Sequence, residues 1–429
     1  MSNASPPSPA ASAVQHFQLA NGLQVWLRQD PRAPVVTAQL WYHIGSSDET
    51  PGKTGLSHAL EHLMFQGSGK LTPGQYQHAI SRLGATPDAY TTKDGTAFEM
   101  SLPVPRLETA LEILADSMRS ATLGEAEFPK VLDVIKAERR SQIDNSVEQI
   151  ALERIRQAAY GGSGYAIPVI GHAADLERLR LEDVRGWYDT WYWPNNASLI
   201  VVGAIELDAL RTLVERQFSG IVQGTLPPRP LPRLARPAAQ QRFTLEHPIL
   251  KTGVAIAFPA PSLATTTQPS QAFALLLLRE MLASRLHCTL VRNSPVLSSA
   301  NVYYNPLQRG NSLFTLYGFR NDETDTEQAF SLVSQQIERL RQAPTDTSEL
   351  ERLKARLMAQ EVFAQDSHAA QAWLLGLYAS SGLDPAQTTQ RLDSIRALTS
   401  QDIRQAAETC LAADSASVMI LQKEQNPDE

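Results

Sequence analysis

The sequence predicts an α+β fold with two homologous domains, each a largely antiparallel sheet covered by helices. Three observations lead to this prediction. The 429 residues are more than one ordinary domain holds, and a proline-rich stretch at 223–240 lacks any apolar periodicity. The order of predicted strands and helices before this stretch is repeated after it. We therefore expect a disordered tail at 1–14, a first domain at 15–222, a linker at 223–240 and a second domain at 241–429.

Composition excludes several classes of protein. Hydrophobic residues make up 43% of the chain, enough for two cores, and the net charge of −7 argues against nucleic acid as a partner. The apolar run at 273–278 is stopped by Arg279, so we expect no membrane span. Two cysteines, Cys288 and Cys410, provide neither a disulfide framework nor a thiolate metal site, and we expect two buried free thiols.

The N-terminal residues show no targeting signal. Residues 1–13 are rich in serine, proline and alanine, and they have neither the basic start nor the apolar core of a signal peptide. The sequence as given therefore predicts a cytoplasmic protein. A periplasmic location is the alternative if a signal upstream of this tail has been removed.

The elements of the first domain follow from turn signals and apolar spacing. Asn21-Gly22, between two short apolar runs, is the strongest short signal for a β-hairpin. The β-rich run at 35–42 predicts a core strand. The other predicted elements are strands at 88–92, 96–102 and 198–203, a short helix after Gly45, and helices at 73–83, 106–121, 125–145, 150–160, 175–191 and 207–218.

One stretch of the first domain carries chemistry. His58 and His62 are four residues apart, so on a helix both side chains lie on one face and can bind one metal ion. Glu61 lies beside them and is free to accept a proton from an attacking water. The same five residues can also form an ordinary half-exposed polar face. The apolar flanks and Gly67 predict a short buried helix, in which two histidines and an acid need partners that a metal would provide.

This H-x-x-E-H pattern resembles the zinc-binding helix of the M16 peptidases, a family of inverted zincins that includes pitrilysin and insulin-degrading enzyme. The resemblance covers nearly the whole chain, and the length fits the short-chain M16B subfamily. The other segments that carry it are Gly45-Ser46, Leu83-Gly84-Ala85, Ala89-Tyr90-Thr91, Trp193-Pro194-Asn195-Asn196-Ala197 and Val201-Val202-Gly203. The family implies one Zn²⁺ per chain, bound by His58 and His62, with Glu61 as the catalytic base.

The third zinc ligand is less obvious from the residues. Glu138 follows Ile135 by three positions, so it points towards the buried side of its predicted helix. A surface glutamate paired with Arg139 or Arg140 explains the pattern equally well. The resemblance implies that Glu138 is the ligand, because its distance along the chain from the H-x-x-E-H motif suits the family's distant glutamate. Two other acidic residues of this segment have poorer spacing, Asp133 and Glu148.

The second domain repeats the pattern without the chemistry. Its predicted elements are strands within 243–258 and at 299–304, 312–319 and 417–421, and helices at 271–290, 327–341, 348–364 and within 392–403. The helix at 271–290 has no H-x-x-E-H, and Arg356 falls where Glu138 stands in the first domain. Arginine is a donor only and cannot bind zinc, so we expect an inactive domain that forms a wall for the substrate.

The resemblance also implies a partner. Family members usually supply an arginine and, a short distance on, a tyrosine from the second domain to hold the substrate and stabilise the oxyanion. Arg292 resembles that arginine, but Ser299 stands in the tyrosine's place, and Tyr303 and Tyr304 are offset. Either the loop has drifted in a self-sufficient enzyme, or a second M16B chain brings the pair. We prefer the second explanation and expect a heterodimer.

The sequence thus predicts a zinc-dependent endopeptidase, the catalytic subunit of a two-chain M16B peptidase that cleaves unfolded peptides inside a clam-shell chamber. The strand with Ala89, Tyr90 and Thr91 resembles the family's exposed edge, to which the substrate adds as a further strand. Two alternatives stay open, a processing peptidase with a presequence-like target and a non-catalytic scaffold subunit. Of the other histidines, His43 is the one that could come near the zinc.

Overall fold

The computed structural model describes residues 13–229, 231, 234, 237, 239–322 and 324–424. The predicted tail at 1–14 lies outside the described residues except for its last two positions, and Val14 already belongs to a strand. The predicted linker at 223–240 lies partly outside them, and its described residues form no helix or strand. The domain boundaries themselves stay predictions.

The described residues of the first half form six strands and eight α-helices. The strands are β1 (Val14–Gln18), β2 (Gln24–Gln29), β3 (Val35–Tyr42), β4 (Thr86–Thr91), β5 (Thr96–Pro103) and β6 (Ala197–Gly203). The helices are α1 (Leu56–Met64), α2 (Pro73–Leu83), α3 (Leu107–Ser120), α4 (Phe128–Arg139), α5 (Val147–Tyr160), α6 (Ala173–Leu176), α7 (Leu181–Trp191) and α8 (Leu207–Phe218). A π-helical segment, Arg140–Asp144, continues α4.

The second half contains five strands and six α-helices in its described residues. The strands are β7 (Gln241–His247), β8 (Gly253–Ala260), β9 (Leu297–Tyr304), β10 (Ser312–Arg320) and β11 (Ser417–Lys423). The helices are α9 (Pro269–Leu286), α10 (Thr326–Gln342), α11 (Thr347–Ala364), α12 (His368–Ser380), α13 (Arg391–Ala397) and α14 (Ser400–Cys410), with a π-helical segment, His287–Asn293, after α9. None of the described helices combines the length and apolarity needed to cross a bilayer.

The two sheets share one topology. The first has the strand order β1-β2-β6-β3-β5-β4, and the second has the order β7-β11-β8-β10-β9. One pair in each sheet is parallel, β2 with β6 and β7 with β11, and the other pairs are antiparallel. Apart from β1, the strands correspond one to one. The predicted α+β fold, with two largely antiparallel sheets covered by helices, is confirmed.

The first sheet is covered on both faces, because a helix of the second half packs on the face opposite the helices of the first half. Successive residues of a strand point to opposite faces. In β6, Leu199 and Val201 pack in the core formed with the helices of the first half. Ile200 and Val202 face the other way and pack in a cluster with Leu375 of α12. Burial on both faces explains why β6 is almost continuously apolar.

A helix of the first half likewise packs on the second sheet. Ile150 and Ile155 of α5 pack on the second sheet in a cluster with Ala255, Phe319 and Met419. The two halves are therefore joined by reciprocal helix packing over apolar surfaces. α12 is not among the helices predicted from the sequence. Its own apolar residues occur on all sides of the helix and therefore leave no amphipathic stripe.

A buried polar network also joins the halves. In the loop between β9 and β10, Arg309 Nη2 lies 2.6 Å from Asp48 Oδ1, and the Arg309 backbone N–H donates to Asp94 Oδ2 at 3.0 Å. The Tyr165 hydroxyl donates to the Asp94 carboxylate at 2.7 Å and accepts from the N–H of Gly310 at 2.8 Å. This network fixes the second half against the turn that follows β4.

Three sequence predictions need correction. The helix predicted at 125–145 ends as an α-helix at Arg139, where the backbone widens into π geometry. The helix predicted at 175–191 is two helices, because the Asp183 carboxylate accepts from the Arg180 N–H and starts α7 anew. Cys288 is exposed rather than buried, since it lies on the π-helical segment beyond the packed part of α9, whereas Cys410 is buried.

Candidate metal centre and catalytic cleft

The side chain of a buried glutamate accepts hydrogen bonds at the start of the helix that carries the histidine motif. Gly55 precedes α1 with a φ of 90°, a conformation that favours glycine. Glu49 accepts hydrogen bonds from the backbone N–H groups of Gly55 (2.7 Å) and Ser57 (2.8 Å), at the helix end that has no partners of its own. An acidic group near a helix N-terminus is stabilising, so Glu49 helps to fix the direction of α1.

α1 brings its two histidines against α4. His58 Nε2 and His62 Nε2 each lie 3.7 Å from Glu138 Oε2, and the three ligand atoms fall within 4.8 Å of one another. Ligands about 2.1 Å from a tetrahedral zinc ion stand about 3.4 Å apart. Two imidazoles and one carboxylate at these distances are therefore a donor set of the size and chemistry that suits zinc.

Glu138 is oriented by its neighbours. Its other oxygen, Oε1, accepts a hydrogen bond from Gln142 Nε2 at 2.9 Å, and Gln142 lies on the π-helical segment. Arg139 turns away and lies 3.2 Å from both Glu153 and Asp144. Among the described residues, Glu138 does not form the ion pair with Arg139 or Arg140 that was the alternative to metal binding. Two acidic alternatives are not part of the cluster, Asp133 and Glu148.

Burial keeps both histidines in the form that binds metal. It lowers the pKa of His58 to about 4, and the neighbouring His62 adds to this effect. Burial also lowers the pKa of His62, although Glu138 acts in the opposite direction. Both rings are therefore neutral near pH 7, the state in which an imidazole nitrogen coordinates a metal.

Glu61 lies beside the cluster without belonging to it. Its Oε2 accepts a hydrogen bond from the Thr91 hydroxyl, which fixes the carboxylate next to the end of β4. Burial raises the pKa of Glu61 to about 7; the Thr91 hydrogen bond lowers it, and nearby Glu138 and Asp88 raise it. A carboxyl group that titrates near the working pH can both accept and return a proton.

β4 forms the edge of the first sheet. The N–H of Ala89 donates to the side chain of its neighbour Asp88 at 2.9 Å, so it points away from β5. Pro87 has no N–H to leave unpaired, and proline within sheets is typical of edge strands. Because alternate residues of an antiparallel strand bond to the same side, Ala89 and Thr91 both present their backbone groups outwards.

The side chains of β4 face two ways. Thr91 points to the metal side, where it bonds to Glu61, and Ala89 packs on the same core. The Tyr90 ring packs instead on Trp373 of α12, with ring centroids 4.8 Å apart. All three predicted substrate residues of β4 line one cleft beside the ligand cluster: Ala89 and Thr91 face the cluster, and Tyr90 also joins the edge strand to the second half through Trp373.

A cleft of about 400 Å³ extends from the cluster past the end of β4. Its lining includes His58, Glu61 and Glu138, and beyond Thr91 it includes two basic residues that were not predicted, Lys93 and Arg156. No sequence motif marks these two, because they are far apart in the chain. A second cleft of about 340 Å³ lies at the other end of β4 and is lined by Glu61, His62, Gln66, Gln77 and Asp88 among others.

The arginine that was predicted to hold the substrate, Arg292, is not among the described residues that line either cleft. Arg292 lies exposed on the π-helical segment that follows α9. Tyr304 is buried, and its hydroxyl donates to the Pro261 carbonyl at 2.7 Å. Tyr303 is partly exposed and stacks on Tyr317, with ring centroids 6.0 Å apart.

His43 does not join the metal cluster. Its Nε2 lies 3.0 Å from Ser198 Oγ, and its pKa is lowered to about 4 by burial, with further contributions from Arg229 and Arg309. The ring is therefore a neutral hydrogen-bonding group between β3 and β6.

The family model described as insulinase (peptidase family M16) matches residues 24–173. The model described as the peptidase M16 inactive domain matches residues 178–357. Together they cover most of the chain, which belongs to the M16 peptidase family.

Individual relatives are similar over most of their length. The zinc protease PqqE of Helicobacter pylori is 27% identical over 364 residues, covering 84% of this chain and 82% of that protein. The mitochondrial-processing peptidase subunit beta of Lentinula edodes is 23% identical over 420 residues, covering 92% and 86%. A solved structure of a Helicobacter pylori protease shares the fold, with a TM-score of 0.88 at 24% identity over 96% of this chain and 100% of that one.

Proposed function

We propose that the chain is a zinc-dependent endopeptidase, the catalytic subunit of a two-chain peptidase of the short M16B type. The observation that carries this proposal is the meeting of His58, His62 and Glu138 within 4.8 Å. These residues come from two separate helices, and the half-buried carboxylate of Glu61 lies next to them at a sheet edge. Membership of the M16 family supports a peptidase in general terms.

The residues have distinct roles in this proposal. His58, His62 and Glu138 hold one zinc ion, which when bound supplies a Lewis acid for an attacking water and the scissile carbonyl. Glu61 accepts the proton of that water and later returns it to the leaving amine. Thr91 keeps the Glu61 carboxylate in place through its hydrogen bond.

The edge strand suggests how the substrate lies. An extended peptide can add to β4, where Ala89 and Thr91 offer outward backbone groups. The peptide would displace the Asp88 side chain from the N–H of Ala89. Because such binding uses main-chain hydrogen bonds, we expect unfolded peptides of varied sequence to be cleaved. A folded protein cannot present a free strand of this kind to the cleft.

The two-chain assembly is the finer part of the proposal. Arg292 is exposed and away from the described lining of both clefts, so this chain's own second half does not offer it to the cleft. One relative is named as the beta subunit of a larger peptidase. We therefore propose a second M16B chain that carries an arginine–tyrosine pair and faces this zinc site.

The test compares zinc binding with hydrolysis. The purified chain should hold one zinc per chain by elemental analysis and cleave an unstructured fluorogenic peptide, alone or with its partner. Glu61→Gln should keep the zinc but lose hydrolysis by at least about 100-fold, since an amide cannot accept the proton. Near-normal turnover by Glu61→Gln would remove Glu61 from the mechanism. A chain with neither zinc nor activity in any assembly would favour a scaffold subunit.

A processing peptidase is the second candidate, and similarity to the mitochondrial-processing peptidase beta subunit over 92% of this chain favours it. A map of cleavage sites in several unrelated peptides separates the two candidates. Cuts at many positions support a general endopeptidase, whereas a single cut near the N-terminus of presequence-like peptides supports processing.

A further inference from the structure

The wall of the catalytic cleft beyond Thr91 carries two basic residues, Lys93 and Arg156, here called the cationic wall. Lys93 lies in the turn between β4 and β5, and Arg156 lies on α5. Burial lowers the pKa of Lys93 to about 7, and the charge of Arg156 acts in the same direction. Both side chains bring N–H donors to the same cleft, and an anion bound there would favour the charged form of Lys93.

Arg156 has no anionic partner in the described part of the chain. It forms no ion pair or hydrogen bond with any described residue, and the groups that act on it electrostatically are Lys93, Tyr160 and Tyr303, none of which is a carboxylate. Arg139, near the same cleft, differs in that it binds Glu153 and the Gly171 carbonyl. A half-buried guanidinium without a carboxylate partner is costly for the free protein, and a bound anion would reduce that cost.

Lys93 has donor capacity to spare. Its Nζ donates to the Ile167 carbonyl, whereas an ammonium group has three N–H donors. The acidic residues that influence it are already engaged elsewhere: Glu49 binds the start of α1, Asp94 binds the Tyr165 hydroxyl, and Glu153 binds Arg139. None of them forms an ion pair with Lys93 among the described residues.

The two ends of the edge strand differ in charge. Glu61 lines both clefts, and the one at the start of β4 adds Asp88 and two glutamines. The cleft beyond the end of β4 adds Lys93 and Arg156, together with Glu138 of the ligand cluster and Glu153, which is paired with Arg139. A peptide that lies along β4 would pass Glu61 and extend into both clefts. One side of the scissile bond would therefore meet Asp88, and the other side two basic residues that form no ion pair among the described residues.

We propose that Lys93 and Arg156 bind a carboxylate of the substrate and so determine which peptides the cleft accepts. The carboxylate belongs either to an acidic side chain or to the peptide C-terminus. Arginine binds carboxylates through two parallel N–H donors, which gives position as well as affinity. This inference rests on the proposed peptidase function, because it assumes that a peptide occupies the cleft.

The experiment measures binding without turnover. Zinc-loaded protein with Glu61→Gln is titrated into fluorescent unstructured peptides, and anisotropy reports affinity. One peptide pair differs only in a C-terminal acid or amide, and a second pair, amidated at the C-terminus, differs only in an internal Glu or Gln. We expect the carboxylate form of at least one pair to bind at least about tenfold more tightly. The pair that shows the preference identifies the source of the carboxylate.

Variants then locate the preference. In the Glu61→Gln background, Arg156→Gln should bring the acid-to-amide affinity ratio close to one, while Arg156→Lys should keep part of it. Arg154→Gln is the matched control, because Arg154 lies on the same helix, is exposed and bonds only to Gln157 at 3.2 Å among the described residues. Its ratio should equal that of the parent. If Arg156→Gln loses its circular dichroism signal, Lys93→Gln and Arg156→Lys carry the test.

The outcomes separate this proposal from the proposed function. Equal affinity for both members of each pair would overturn the cationic wall as a carboxylate site, even if the native chain cleaves peptides. A preference that survives Arg156→Gln and Lys93→Gln would place the site elsewhere and also overturn it. Absence of zinc and of hydrolysis would instead contradict the peptidase proposal.

Discussion

The two halves of the molecule share one topology but differ in chemistry. In the first half, α1 carries His58 and His62 and meets Glu138 of α4. In the second half, α9 and α11 occupy the corresponding places in the chain order, but α9 carries no histidine and buries ten of its eighteen residues, and Arg356 of α11 is exposed. Each half has its own apolar core on its own sheet. The second half thus forms the same fold without such a cluster among its described residues, so the fold does not depend on these three side chains.

The halves nevertheless depend on each other for packing. α5 covers the second sheet, and α12 covers the first. α5 also carries Arg156 to the cleft, and Tyr90 of the edge strand packs on Trp373 of α12. A half without metal ligands thus still shapes the cleft of the other half.

The largest effect should come from breaking the polar contact between the halves. Arg309→Ala removes the guanidinium that lies 2.6 Å from Asp48 and 3.8 Å from Asp94, and leaves Asp48 only the more distant Arg229 at 3.9 Å. Removal of one partner from a buried pair costs about 3–5 kcal/mol of unfolding free energy. Urea denaturation followed by fluorescence measures the change. Arg396→Ala is the control, because its pair with Asp393 is exposed, and it should change stability by less than about 1 kcal/mol. Equal effects would mean that the network does not join the halves.

The second prediction tests the chemical difference between the halves. His58→Ala or His62→Ala should weaken zinc binding by about 100-fold or more. Each change removes a direct ligand, and loss of a residue that only orients a ligand already lowers metal affinity about 10–100-fold. Competition with a metal indicator measures this. Arg356→Glu should leave the stoichiometry at one zinc per chain, because α9 supplies no histidine pair. A second zinc in Arg356→Glu would show that the halves are chemically closer than their sequences suggest.

The third prediction concerns the support of Glu138. Gln142→Ala removes the hydrogen bond to Glu138 Oε1, so the carboxylate can rotate away from the histidines. We expect zinc affinity to fall about tenfold, the lower end for a residue that orients a ligand. Gln335→Ala on α10 of the second half is an exposed control. If both variants bind zinc like the parent, Gln142 has no orienting role.

The smallest effect should appear on acidification. The pKa of His43 is lowered to about 4 by burial, so the unfolded chain takes up its proton first as the pH falls. The stability that the neutral ring contributes is present above about pH 6.5 and is lost as the pH falls towards 4. Because the ring is only partly covered, we expect about 1 kcal/mol. His43→Gln should flatten the curve of unfolding free energy against pH in this window, as measured by urea denaturation at several pH values; an unchanged slope would contradict the prediction.

The sequence by itself determined the features that local patterns encode. Asn21-Gly22 predicts the hairpin of β1 and β2, and the structure has these strands paired antiparallel. The repeated order of elements predicts the duplicated sheet, because each element shows its own periodicity. The spacing of His58 and His62 places both on one helix face, a geometry that holds for any α-helix. From the residues alone, a surface ion pair and a metal-binding role were equally good explanations of Glu138, because the two histidines that it meets lie on another helix.

Only the tertiary structure decided how distant parts meet. The exchange of α5 and α12 joins residues far apart in the chain, and such contacts leave no periodic pattern in either segment. The same holds for Lys93 and Arg156, which become one wall because a turn and a helix border the same cleft. The position of Arg292 away from the described cleft lining likewise depends on where the π-helical segment after α9 points. Local propensity determines each element, whereas packing between elements determines which side chains share a site.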